Sequence, residues 1–172
     1  SKTYFLNFII PFLLSFKLKE NFKKKKKNLI LNIGSNACKI YPFNERDVDL
    51  NDNDYGFKSY CKSKSALLHI TTKLGTLKEG IVSCYVHPGL LRTQITKSMP
   101  FLYKQLYKLG VFFFGQESEL SAKFIIEKII LKKRIKNYQH FDFNNFNNKK
   151  IKLKKELTNK IWVNCLKKIK NF

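Results

Sequence analysis

The chain has 172 residues, 44% of them hydrophobic, which suits one domain of ordinary size with material for a core and excludes a chain disordered by composition. Its formal charge is +22, yet of its 34 basic residues only Arg46, Arg92 and Arg134 are arginine. Nucleic-acid interfaces draw on arginine forks, so the excess argues against a specific nucleic-acid partner. It leaves two readings open: coding drift, since Asn, Ile and Phe are also abundant, or a polyanion or membrane-surface contact.

In chain order, Tyr4 to Phe16 is apolar but too short to span a bilayer. Asn7 and Pro11 interrupt it, and Lys17 to Lys27 follow it where a signal peptide would have a small-residue cleavage site. It is expected to be a buried helix. Leu29 to Ile33 reads as a buried strand that delivers Gly34-Ser35 at its carboxyl end. A long loop follows. Gly56 to Lys78 then carries Phe57, Tyr60, Cys61, Ala66, Leu67, Ile70, Leu74 and Leu77 largely on a helical period. Ile81 to Val86 repeats the strand design and stops at His87-Pro88-Gly89. Strand, helix and strand predict a right-handed βαβ unit with parallel pairing, hence an α/β fold.

Downstream, Pro100 to Gly115 is an apolar segment. Glu117 to Leu131 predicts a helix, with acidic residues in its first turn and Lys132 to Arg134 at its end. Asn137 to Phe143 predicts a short strand. The tail from Lys150 to Lys170 predicts an amphipathic helix, docked on the core or lying on a membrane surface. Cys38, Cys61, Cys84 and Cys165, with three scattered histidines, have no metal-site spacing and read as free, mostly buried thiols.

Tyr60 and Lys64 are four residues apart, so a helix places phenol and ammonium on one face. A cation there would stabilise a phenolate and lower a pKa that is ordinarily near 10. In an open parallel sheet ligands bind beyond the carboxyl ends of the strands, where Ser35 and the Pro88-Gly89 loop lie. Serine, tyrosine and lysine are thereby expected to converge on one substrate carbonyl.

These residues resemble the short-chain dehydrogenase/reductase family, most closely its retinol dehydrogenase-like branch. The likeness rests on Asn32-Ile33-Gly34-Ser35, on Tyr60-Cys61-Lys62-Ser63-Lys64 and on His87-Pro88-Gly89-Leu90-Leu91-Arg92-Thr93. Ser35 and Tyr60 are 25 residues apart, as is typical of that branch. Upstream, the segment from Asn7 to Ser15 looks like the family's NHLGHFLLT-type stretch, in gap-free register with Ser35. The terminal Leu157 to Leu166 resembles the branch's last helix.

The resemblance implies a catalytic set of Asn7, Ser35, Tyr60 and Lys64, with Tyr60 as general acid in reduction and base in oxidation, and Ser35 bonding the reacting oxygen. It implies an asparagine backbone that holds a relay water. Tyr60, Lys64, Pro88, Gly89, Leu91 and Thr93 would meet NADP or NAD, with NADP slightly favoured. The implied substrate is a small lipophilic carbonyl or alcohol, with Pro100 to Gly115 as its lid. Membrane-surface contact and a homodimer stay open, and so does location: intracellular, cytoplasmic or associated with the endoplasmic reticulum membrane.

The family's TGxxxGxG turn is not found, and none of the seven glycines precedes Gly34. By this register residues 1–172 correspond to the C-terminal portion of one such domain, the last three strands of a Rossmann-like, doubly wound parallel sheet. The chain alone is then expected to be inactive, with Leu29 to Ile33 left as a hydrophobic edge. Two further readings are a non-catalytic truncated remnant and a basic protein that binds polyanions or membranes.

Overall fold

Two hydrophobic runs joined through a long amphipathic segment build the centre of the fold. The computed structural model describes residues 2–22, 28–48, 54–77, 80–92, 99–131, 139–143 and 153–169. Strands β1 (Asn28–Ile33), β2 (Ile81–His87) and β3 (Gln139–Asp142) form one sheet in the order β1-β2-β3. Both pairings are parallel, with Asn28 opposite Ile81 through Ile33 opposite Val86, and Cys84 opposite Gln139 through His87 opposite Asp142. The expected α/β architecture with parallel pairing is present. Among the described residues β1 has a partner on one side only, and Ile33 on it is exposed.

The amino-terminal helix opens with one α-turn (α1, Lys2–Tyr4), widens into a π-turn over Phe5–Ile9 and resumes as α2 (Ile10–Glu20). Pro11 has no amide hydrogen, so the Asn7 carbonyl lacks the i→i−4 donor that an α-helix would give it. The segment is buried on one face only. Tyr4, Phe8 and Phe12 enter the core, whereas Phe5, Leu6 and Leu14 are exposed.

Helix α3 (Gly56–Thr76) crosses between β1 and β2. Leu67, Ile70 and Leu74 share its buried face, where they pack with Ile30, Ile81 and Tyr85 of the sheet. The last helix, α6 (Lys155–Ile169), docks on the core. Leu157, Ile161 and Trp162 are buried, and the Trp162 ring meets Phe12 edge-on at 5.2 Å. Side-chain bonds tie α6 to α3, with His69 Nδ1 2.8 Å from Thr158 Oγ1 and Lys73 Nζ 2.7 Å from Asn159 Oδ1. Of the two readings of the tail, the structure has the docked helix.

Glu117 to Leu131 divides into α5 (Ser118–Ile125) and a π-turn at Ile126–Ile130. The apolar Pro100 to Gly115 segment, read only as a lid, is the helix α4 (Phe101–Phe114). Cys38, Cys61, Cys84 and Cys165 are free and buried, as expected. Burial pushes the Cys61 and Cys165 thiols up to about 12, which keeps them protonated and unreactive.

One buried polar pair fixes β1 against α3. The Asn32 amide donates to Thr71 Oγ1 at 2.9 Å, and that hydroxyl donates to the Leu67 carbonyl at 2.7 Å. Thr71→Val keeps the volume but leaves the Asn32 amide without this acceptor. The expected loss is about 2 kcal/mol in denaturant titrations, the cost of an unpaired buried donor. A loss within error of zero would show that Asn32 finds another acceptor.

Candidate active site

Because β1 and β2 are parallel, their carboxyl ends emerge on the same side. A cavity of about 610 Å³ lies there, lined by Ser35 after β1, Tyr60 and Lys64 on α3, and Pro88, Gly89 and Leu91 after β2. Ile33, Leu90 and Leu106 add an apolar wall. Six of the eight residues singled out in the sequence therefore share one cavity. Asn7 does not line it; it is half-buried on the π-turn, which packs against α3. Thr93 lies outside the described residues.

Ser35 is held from both sides of its backbone. Its hydroxyl caps the short 3₁₀ turn Asn36–Lys39 by accepting the Ala37 amide at 3.2 Å. The hydroxyl's own proton remains for donation, and the hydroxyl shares the cavity wall with the Tyr60 phenol. Burial raises the Tyr60 phenol above its ordinary value, outweighing the Ser35 hydroxyl, which pulls it down. The Tyr60/Lys64 spacing predicts a lowered value instead. The difference arises because the Lys64 ammonium lies 5.9 Å from the centre of the Tyr60 ring and donates to the Ile33 carbonyl at 3.0 Å. Burial also lowers the pKa of Lys64.

The motif's other lysine is occupied elsewhere. Lys62 bridges Asp47 and Asp54, each at 2.5 Å, so Lys64 is the motif's cavity-facing cation. Asp54 is held below the usual carboxylate range chiefly by its bond to Lys58 and then by Lys62.

Tyr85, which the sequence reading passed over, holds the site together from beneath. Its ring is buried on β2, and its hydroxyl accepts the Ser35 amide at 2.9 Å. The single phenolic hydrogen is shared between the carbonyls of Ser35 at 3.2 Å and Lys64 at 3.1 Å. One side chain thereby ties the end of β1 to the helix that bears Tyr60 and Lys64. The available signal was a tyrosine inside an otherwise apolar strand, whose hydroxyl must find a partner when buried.

A second brace was also missed. His87 Nδ1 accepts the Asn36 amide at 3.4 Å, and the Asn36 side chain donates to Asp142 Oδ2 at 2.8 Å. The turn after Ser35 is thus joined to the ends of β2 and β3. Nothing local marks this brace, because its three members are far apart in sequence. The loop after β2 is fixed as well: the Pro88 carbonyl accepts Gln116 Nε2 at 2.7 Å and Ser121 Oγ at 2.6 Å. Gly89 supplies the φ of +90° that this turn needs.

A serine and a half-buried, protonated tyrosine beside a lysine form a proton-donating group that faces an apolar space. Among the described residues no cluster of His, Cys, Asp or Glu is placed to hold a metal ion, and no helix is long and apolar enough to cross a membrane. A scan against protein-family models and a search of curated proteins found no match to the chain.

Proposed function

We propose that this chain carries the proton-transfer part of an NAD(P)-dependent oxidoreductase of the short-chain dehydrogenase/reductase type, retinol dehydrogenase-like, that interconverts an alcohol and a lipophilic aldehyde or ketone. The three strands would belong to a doubly wound, Rossmann-like sheet. The observation that carries the reading is the meeting of Ser35, Tyr60 and Lys64 on the wall of one apolar cavity at the carboxyl ends of parallel strands.

A dihydronicotinamide supplies the hydride when bound. The residues present fit its nicotinamide half: Tyr60 and Lys64 offer a hydroxyl and an ammonium, and Pro88, Gly89 and Leu91 form the facing wall. The Pro88 carbonyl is already taken by Gln116 and Ser121, so that loop contributes shape rather than a free acceptor. The sequence holds no glycine-rich turn for the pyrophosphate, so turnover requires that surface from elsewhere.

Tyr60 acts as the acid. Its raised pKa keeps the phenol protonated near neutrality, and its O–H proton passes to the carbonyl oxygen as negative charge builds there. Ser35 donates to the same oxygen. Lys64 would stabilise the phenolate that remains once its ammonium turns from the Ile33 carbonyl toward it. The raised pKa keeps the protonated form populated, which is the form that reduction uses.

The test assays this chain, and any longer polypeptide found to continue its reading frame upstream, with NADPH or NADH and long-chain aldehydes. The expected result is no turnover by the first and reduction by the second, falling about a hundredfold in Tyr60→Phe. Activity indifferent to Tyr60→Phe overturns the assignment of the acid. Micromolar NADPH binding by this chain alone overturns its inactivity. An upstream stop codon favours the second reading, a non-catalytic remnant.

A further inference from the structure

Helix α4 is exceptional among the longer helices: none of its residues is buried. One face closes the cavity through Tyr103, Leu106 and Tyr107. Two tyrosines one turn apart fasten that face to the body. The Tyr103 ring lies 4.9 Å from Phe57 and its hydroxyl 3.4 Å from that of Tyr41, while the Tyr107 hydroxyl donates to the Leu91 carbonyl at 2.9 Å. The opposite face presents Phe101 and Phe112, each 76% exposed, in line with Gln105 and Lys108, and exposed Leu102, Leu109 and Phe113 extend the apolar surface along one side. Leaving that many large apolar side chains in water is unusual for a soluble surface.

We propose that this outer face of α4 docks on a lipid bilayer containing anionic lipids. Charge and geometry favour that occupant. The helix has no acidic residue, and Lys104 and Lys108, one turn apart, run along one side of the apolar strip, where ammonium groups would reach phosphate and carboxylate headgroups. The whole chain adds a net +22, which draws it to a negative surface. Fourteen residues make a helix of about 21 Å, too short to span a bilayer but suited to lying in its interface with phenylalanines in the acyl boundary. The same helix is then wall of the cavity on one side and lipid contact on the other. An apolar ligand would pass between the two around α4 without crossing bulk water. This consequence rests on the proposed reaction; the docking itself does not.

The test needs neither cofactor nor substrate. The full chain is sedimented with vesicles of phosphatidylcholine containing roughly one-third phosphatidylserine, and with phosphatidylcholine alone, at low and high salt. The expected result is binding to the anionic vesicles that weakens at least about tenfold in Phe101→Ser/Phe112→Ser. Lys104→Glu/Lys108→Glu is expected to remove much of the preference for phosphatidylserine. Leu14→Ser/Leu18→Ser, at comparably exposed apolar positions on α2, is expected to bind as the parent does. All three variants change exposed or half-buried side chains and are checked for unchanged circular dichroism. No vesicle binding by the parent overturns the proposal, and so does equal binding by the phenylalanine variant, which would assign the contact to dispersed lysines. Self-association of the parent that the phenylalanine variant abolishes also overturns it, since a second copy would then cover the face.

Discussion

Gly34→Ala is expected to destabilise the protein by about 3 kcal/mol and to dismantle the cavity wall, although it adds one methyl group at a position with no unusual backbone angle. A β-carbon on Gly34 would fall within the Tyr85 ring, against its Cζ and Cε1 atoms. The ring has nowhere to retreat. It is buried in the sheet, and its hydroxyl is bound to the Ser35 amide and to the carbonyls of Ser35 and Lys64. Relief requires the end of β1 to move, which breaks the Gly34 amide bond to the Val86 carbonyl at 2.6 Å and displaces Ser35 from Tyr60. Urea titration measures the loss. In a Tyr85→Leu background the added methyl has room, so a double-mutant cycle is expected to give a coupling above about 2 kcal/mol. Equal penalties in the two backgrounds would show that Tyr85 does not dictate the glycine.

The second large effect is on pH. His69 and His140 are buried, and burial lowers each to about 4 from the ordinary 6.5. A histidine with a depressed native pKa is neutral in the fold and charged in the unfolded chain below pH 6.5, so the unfolded state binds more protons and stability falls with falling pH. The loss runs from about pH 6.5 to about pH 4, below which both states are protonated at these sites. Each histidine contributes about 3 kcal/mol to it, so the pair removes about 6 kcal/mol from a total that for a domain is about 5–15 kcal/mol. His87 is shifted the same way by burial, and Asp54, held low, adds its loss only in stronger acid. A steep fall in stability is therefore expected within the window.

The two histidines can be separated. Thr158 Oγ1 donates to the Lys154 carbonyl at 3.1 Å, so its bond with His69 is donated by Nδ1–H, a hydrogen bond that substitution would lose. His140 Nε2 has no hydrogen-bond partner among the described residues, and its ring lies 5.4 Å from that of Tyr85. His140→Phe keeps a ring there and removes the proton site. It is expected to reduce the acid loss by about half with little change above pH 7. Stability that is flat between pH 6.5 and 4 in the parent would refute the account.

Much of the scaffold was legible because periodicity reports burial directly. Leu29 to Ile33 and Ile81 to Val86 are strands within a residue of their expected ends, and Gly56 to Lys78 is the helix between them, two residues shorter. The tail folded as expected because Leu157, Ile161, Trp162 and Cys165 recur on one face. The lid segment hid its helix, since Phe112, Phe113 and Phe114 break the alternation of polar and apolar residues that marks an amphipathic element, and no buried residue restores it. The braces of the site were less visible still. Asn36, His87 and Asp142 meet only because three strand ends converge.

For the candidate site, the sequence by itself determined which groups are available and that they sit at matching strand ends, because side-chain spacing along a helix and the termination of strands are local properties of the chain. The tertiary structure decided their chemical state. Tyr60 is raised rather than lowered because its partial burial outweighs the Ser35 hydroxyl while Lys64 turns to the Ile33 carbonyl, and Gly34 is fixed by a ring that arrives from 51 residues away. Desolvation and steric exclusion depend on what the rest of the molecule brings to a point, and spacing along the sequence does not carry that information.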